Sequence, residues 1–323
     1  MFESCYIVGM RLIFLGSGEF GLPTLERLNA DHQVLAVVSQ PDRPAGRKQQ
    51  LTPTPIAGWA AQRGLPVFKV ENANDPAFVA QMAALKPEAS IVIAFGQKLS
   101  PSLIDALGPL VVNLHASLLP KYRGAAPINW AMIRGEKETG VSVIGLAQRM
   151  DAGLIYAQAA TPIGATETAG ELHDRLAALG PAVIERTLVD FAAGTLRGQA
   201  QDDSLATKAP KLSKADATVS FDLPADQVAS RVHGLTPWPG VSVRWFRAGE
   251  GNEQPLFLRR VRALADQATS AAPGTVLPGG RVACRDGVIE LLEVQTPGGR
   301  VLPFADFERG HRMAPGDRLT GLH

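Results

Sequence analysis

The chain has 323 residues, 46% hydrophobic and 20% charged, proportions of a globular protein long enough for two domains that each bury a core. A net charge of +1 gives no global field for nucleic acid, yet the balance is uneven, with 17 basic against 19 acidic residues through Ser204 and 15 against 12 from Leu205 onward. The rear half is therefore the one suited to an anion, although chance variation on a solvated surface gives the same numbers. Two cysteines, Cys5 and Cys284, lack metal-like spacing and argue against a disulfide framework or a zinc site. No apolar run reaches the roughly 18 residues that span a bilayer, and the first ten residues lack the form of a signal peptide. A cytoplasmic, reducing setting is expected.

In chain order, residues 1–9 read as a short extension with no inferable role. A buried strand at 12–15 is followed by a helix at 19–28, with Pro23 near its first turn, and a strand at 33–39. The alternation continues with a helix at 56–63, a strand at 66–68, a helix at 76–85 and a strand at 89–94. Then come a helix at 102–107, a strand at 111–115, a helix at 127–133 and a strand at 141–145. Short apolar runs between helical patterns imply parallel strands with crossover helices, hence an α/β, Rossmann-like domain over 10–204. Helices at 169–179 and 182–192 complete it.

Residues 205–216 read as a linker by composition, and 217–323 as a second domain. After a helix at 225–233, β-like runs at 241–246, 256–261, 274–277, 281–284 and 288–294 are punctuated by Pro/Gly turns such as Pro278-Gly279-Gly280. That pattern predicts a small antiparallel barrel, similar to an OB fold.

The chemistry concentrates in three places. Val111 to Leu114 is an apolar run interrupted by Asn113 and ended by His115, after which the chain breaks into a Pro/Gly loop. Asn113 and His115 are two apart, so on a strand they share a face at the carboxyl edge, where α/β sheets place ligands. Gly16-Ser17-Gly18-Glu19-Phe20-Gly21 has the spacing of the dinucleotide fingerprint, and Asp42 lies 21 residues beyond Gly21. Asp42 falls in a Pro/Gly loop rather than at a strand end, so the plainer reading is a tight turn whose open N–H groups hold an anion or a carbonyl. The other histidines, His32, His173, His233, His311 and His323, read as packed or surface residues.

Asn113-x-His115, the Ser117-Leu118-Leu119-Pro120-Lys121-Tyr122-Arg123-Gly124 loop and Asp151-Ala152-Gly153 together resemble the folate-dependent formyltransferases. The resemblance extends through most of the chain from Met10, including Ala209 to Lys214 and Pro237-Trp238-Pro239-Gly240. It implies catalysis by Asn113, His115 and Asp151 and transfer of a formyl group from 10-formyltetrahydrofolate, with no metal required. Asn113 and His115 suit an oxyanion that develops as an amine attacks a formyl carbon. Asp151 would balance the imidazole's charge and help move the amine's proton.

The resemblance further implies folate contacts from Phe95 and Gly96 and from Ser117, Leu118, Leu119 and Pro120, with Gly16, Ser17 and Gly18 on the acceptor side. The loop Gln40-Pro41-Asp42-Arg43-Pro44-Ala45-Gly46-Arg47-Lys48 looks like that of tRNA-directed members, which embrace the acceptor end. Initiator methionyl-tRNA is then the expected partner, met by Arg43, Arg47 and Lys48 and by Lys208, Lys211 and Lys214, with the chain a monomer. Lys48-Gln49-Gln50 stands where the family has a further run of Gly and Lys, which leaves the loop fewer charges. Two alternatives stay open: a sugar-nucleotide N-formyltransferase, which has no need of that loop, and a non-catalytic RNA-binding protein, which leaves the triad unexplained.

Overall fold

The computed structural model describes residues 9–46, 49–249 and 253–321. The chain divides into two compact units. One takes the residues up to Arg123, Gly140–Ala160 and His173–Thr207; the other takes Gly124–Thr139, Thr161–Leu172 and the chain from Lys208 onward.

The front of the chain runs β1 (Arg11–Gly16), α1 (Leu22–Asp31), β2 (Gln33–Ser39), β3 (Arg43–Ala45), β4 (Gln50–Thr52), α2 (Pro55–Gln62), β5 (Val67–Lys69) and α3 (Pro76–Ala84). It continues through β6 (Ala89–Ile93), α4 (Pro101–Ala106), β7 (Leu110–His115), β8 (Arg123–Gly124), α5 (Pro127–Ile133), β9 (Glu138–Gly145), β10 (Ile155–Pro162) and α6 (Ala169–Ala192). One sheet has the order β10-β9-β7-β6-β1-β2-β5. The strands from β7 to β5 are parallel, each paired through its apolar run. Leu12, Ile13, Phe14 and Leu15 are fully buried, as a parallel sheet covered on both faces requires. Three helices, α2, α3 and α4, begin where the sequence supplies caps: Thr54, Asp75 and Ser100 each accept a backbone N–H of the first turn, and each precedes a proline that has no N–H to orphan.

Several elements differ from the sequence reading. Residues 169–192 form one helix with Pro181 inside it. The missing N–H is outweighed by the burial of Leu172, Leu176, Ile184 and Leu188 along one face. The strand β9 runs antiparallel to β7. The expected crossover is interrupted by the Pro/Gly loop and the short α5, so the chain does not return for a parallel strand. The Pro/Gly loop after β2 contains the hairpin β3–β4. Also unforeseen, β10 extends the sheet; it is only partly buried and lacks a strong apolar alternation.

The rear of the chain carries β11 (Lys208–Ala209), α7 (Ala225–Gly234), β12 (Val241–Phe246), β13 (Glu253–Leu264), β14 (Val276–Leu277), β15 (Arg281–Ala283), β16 (Val288–Gln295), β17 (Val301–Pro303), α8 (Phe304–His311) and β18 (Arg318–Gly321). Its antiparallel sheet has the order β14-β15-β16-β13-β12-β18, with β17 on β16. Hydrogen bonds from Val276 N to Asp317 O (2.8 Å) and from Leu319 N to Gly274 O (2.7 Å) tie the two ends together, which closes the sheet as a barrel. Inside pack Trp245, Phe304, Phe307 and Val232. Asp317, 3% exposed, accepts from Trp245 Nε1, Ala248 N and Ala314 N at 2.9, 3.0 and 3.0 Å, so its buried carboxylate is fully engaged. The stretch 205–216 is ordered here: β11 is followed by a 3-10 turn, Lys214–Asp216, closed by reciprocal Ser213–Asp216 bonds, and Leu212 enters the rear core. Among the described residues, no helix is long and apolar enough to cross a membrane.

Candidate active site

Three loops leave the sheet at the carboxyl ends of β1, β6 and β7. Gly16 pairs with Ile93, and Val92 with Asn113, so the loop at 16–18, the turn at 94–96 and the end of β7 emerge side by side. Ser17 Oγ accepts from Gln40 N (3.1 Å) and donates to Phe95 O (3.4 Å), to which Gln40 Nε2 also donates (3.2 Å). A Cβ on Gly16 would meet Ile93 O at 2.8 Å, so the close approach needs glycine. The loop leads into a 3-10 turn, Glu19–Gly21, before α1 begins. Asp42, the acidic partner that a dinucleotide would need, instead grips Lys69 at 2.7 Å, which removes the second element of that fingerprint.

Asn113 and His115 lie on one face of β7, opposite Ile144 and Ser142 of β9. His115 is 6% exposed. Its Nε2 stands 2.9 Å from Tyr122 O. A carbonyl only accepts, so Nε2 carries a proton and Nδ1 is the nitrogen left for chemistry. Nδ1 faces Asp151 Oδ2 at 3.7 Å. Asn113, two residues back, is half-buried, and its side-chain amide makes no hydrogen bond among the described residues. The structure therefore brings Asn113, His115 and Asp151 to one edge, with an amide and an imidazole nitrogen available there.

Asp151 sits in the left-handed region, at φ 55°, which a short polar side chain tolerates. Two residues later Gly153 passes so close to Gly145 O that a Cβ would overlap it. Gln201 Nε2 donates to both Asp151 O and Gly153 O at 2.8 Å. Gln201 Oε1 in turn accepts from Arg123 Nε and Nη2 at 3.0 and 2.7 Å. Arg123 also pairs with Asp203 at 2.9 Å, and Asp203 with Arg149 at 2.5 Å. Those arginines hold the Asp203 carboxyl below its ordinary range. Arg123 lies in the loop motif, but Gln201 and Thr207, whose side chain accepts from Tyr122 N at 2.8 Å, give no sequence signal, because each meets a distant backbone group from within a polar stretch.

The remaining expected residues separate by burial. Phe95 is 2% exposed and packs in the front core, so only its backbone reaches the site, between the exposed Ala94 and Gly96. Ser117 is fully buried and its hydroxyl donates to Lys121 O at 2.7 Å, a bond that shapes the loop. Leu119 is also buried, with its N and O bonded to Ser142 and Gln158; Leu118 and Pro120 are half-buried. Arg43 is exposed on the β3–β4 hairpin. Arg47 and Lys48 lie outside the described residues. Lys208, Lys211 and Lys214 are exposed and form no ion pair among the described residues. Among those residues, no group of three or more His, Cys, Asp or Glu side chains could hold a metal. Cys284 is buried, and burial pushes its thiol up to about 12.

Residues 10–188 match the family model described as "Formyl transferase", and residues 211–312 match "Formyl transferase, C-terminal domain". The chain is 42% identical over 318 residues to a methionyl-tRNA formyltransferase of Geobacter sulfurreducens, covering 97% of this chain and 98% of that one. It is 42% identical over 320 residues to a methionyl-tRNA formyltransferase of Heliobacterium modesticaldum, covering 96% and 100%. Among solved structures, an N-formyltransferase of Helicobacter canadensis in complex with folinic acid and dTDP-3-aminofucose has the same fold. Its TM-score is 0.66 at 16% identity, covering 87% of this chain and 99% of that one.

Proposed function

The chain belongs to the formyl transferase family in both its N-terminal and C-terminal parts, and from that premise we propose that it formylates the methionine of initiator methionyl-tRNA with 10-formyltetrahydrofolate. Near-full-length identity to methionyl-tRNA formyltransferases supports the acceptor. The observation that carries the chemistry is the His115 Nδ1–Asp151 contact of 3.7 Å, on the edge where the Asn113 amide makes no hydrogen bond among the described residues.

In this reading the methionyl amine attacks the formyl carbon, the new C–N bond forms, and the carbonyl electron pair moves onto oxygen. The Asn113 amide N–H donates to that oxygen. The amine must lose a proton, and His115 Nδ1 is the open acceptor because Nε2 is committed to Tyr122 O. Asp151 then lies 3.7 Å from the imidazolium and balances its charge. Collapse of the adduct restores the carbonyl and expels the folate nitrogen, which takes up the proton that His115 held.

The residues present fit a formyl-folate. Ala94 and Gly96 are exposed where β6 ends beside Asn113, with φ of 48° and 84° turning the chain away from the strand. Leu118 and Pro120 add partly buried apolar surface. For the tRNA, Gly16 to Gly18 would face the acceptor end, and Arg43, Arg47 and Lys48 with Lys208, Lys211 and Lys214 would meet phosphates. A tRNA substrate places the reaction in the cytoplasm. The test is direct: purified protein, formyl-folate and either charged initiator tRNA or an amino-sugar nucleotide. Formyl-methionine on the tRNA supports the reading; transfer to the sugar alone replaces it.

A further inference from the structure

Residues 201–207 supply no group to the chemistry, yet they are attached to both sides of the His115–Asp151 pair. On one side Gln201 Nε2 binds Asp151 O and Gly153 O, each at 2.8 Å. On the other, Thr207 Oγ1 accepts from Tyr122 N at 2.8 Å and Thr207 O accepts from Arg123 N at 2.8 Å. Tyr122 is the residue whose carbonyl fixes His115 Nε2. Arg123 closes the ring through its two bonds to Gln201 Oε1 and its pair with Asp203. Just upstream, Gln199 exchanges two backbone bonds with Ile155, at 2.9 and 2.8 Å, which sets the segment's register along β10.

We propose that residues 201–207 are a strut that sets the distance between His115 and Asp151, with Gln201 and Thr207 as positioning residues; this rests on the catalytic reading of that pair. The Gln201 amide has one workable orientation. Turned over, its oxygen would face two carbonyl oxygens and its NH₂ would face a guanidinium. Both of its N–H groups are spent on the Asp151–Ala152 and Gly153–Leu154 peptides, so those peptides cannot rotate without breaking a bond. Rotation there is the motion that would swing the Asp151 carboxylate, since Asp151 already holds a left-handed φ and Gly153 is pressed against Gly145. Thr207 does the same for the other partner, because the peptide that carries Tyr122 N is anchored one residue from the carbonyl that holds the imidazole. A catalytic group displaced by about 1 Å can lose on the order of 100-fold in rate.

The test uses the full chain and four variants: Gln201→Met, Gln201→Glu, Thr207→Val and Thr207→Ser. Methionine keeps the length of Gln201 without its donors, and glutamate keeps a partner for Arg123 while presenting acceptors to two carbonyls. Valine keeps the shape of Thr207 without its acceptor, and serine keeps the acceptor. Formyl transfer to charged tRNA is measured as kcat and KM, with melting temperature and the affinity for a folate analogue alongside. We expect Gln201→Met, Gln201→Glu and Thr207→Val each to lose about 10- to 100-fold in kcat with KM little changed, and Thr207→Ser to recover most of the rate. Folded Gln201→Met and Thr207→Val with parental kcat and only a lower melting temperature would overturn the strut and leave a fastening of the fold. Should the Gln201 variants not fold, the Thr207 pair decides by the same criterion. The parent is assayed first; if it transfers no formyl group to any acceptor, the catalytic reading itself is what fails, and the strut falls with it.

Discussion

His115 presents Nδ1 to Asp151 Oδ2 at 3.7 Å while its Nε2 is held by the Tyr122 carbonyl at 2.9 Å. That pairing fixes the division of labour on the ring: one nitrogen positions it, the other faces the reaction. Replacing Asp151 with Asn keeps the side-chain shape and tolerates the same left-handed backbone, but removes the charge that balances a protonated ring. We expect Asp151→Asn to lower kcat by about 100-fold or more with the fold intact. Near-parental turnover in a variant with a parental melting curve would remove Asp151 from the mechanism.

Asn113 contributes through an amide that has no partner among the described residues. Removing a donor to a developing oxyanion costs about 100- to 1,000-fold in kcat. Asn113→Ala should show such a loss while the affinities for a folate analogue and for charged tRNA stay near parental. A weakened folate affinity with unchanged kcat would instead make Asn113 a binding residue.

The exposed Lys208, Lys211 and Lys214 lie within seven positions of each other, bracketing the buried Leu212. If they meet phosphates, replacing all three with Ala should weaken tRNA binding and flatten its dependence on salt, because fewer counterions are released. Folate affinity reports the control. An unchanged salt slope would reduce these lysines to solvated surface.

Acid stability follows from two groups in the rear unit. His233 is 3% exposed and accepts from Val261 N, and burial lowers it to about 4 from 6.5. The unfolded chain therefore binds the extra proton first, so this stability is complete above 6.5 and is lost as pH falls toward 4, a change of about 3 kcal/mol. Glu171, gripped by Arg260 and bonded to Thr168, is held down to about 2 from 4.5, so its contribution is present above 4.5 and is lost as pH falls through 2. Thermal melts of His233→Gln, whose amide oxygen can still accept from Val261, should show a flatter slope between pH 6.5 and 4 than the parent. Parallel slopes would assign that window to other groups.

The sequence made the parallel half of the front sheet legible because Leu12 to Leu15 and Val111 to Leu114 are apolar runs bounded by turn residues, and it placed Asn113 and His115 at the strand end for the same reason. Edge elements were harder. The strand Ile155–Pro162 is built from Ala, Gln and Thr that alternate weakly, and Phe304–His311 is a helix of only eight residues directly following the three-residue strand β17. Pro181 suggested a break that the long buried face of its helix overrides. The roles of Gln201 and Thr207 have no pattern in sequence, since each is defined by which distant carbonyl or amide it meets.

Formyl transfer through His115 is tested by a single-turnover experiment with labelled 10-formyltetrahydrofolate and initiator methionyl-tRNA, comparing the parent with His115→Ala. The parent should place the label on the methionine amine, and His115→Ala should do so at least about 100-fold more slowly while still binding tRNA and folate. A parent that leaves methionyl-tRNA unlabelled, or a folded His115→Ala that transfers the label at the parental rate, would contradict the account.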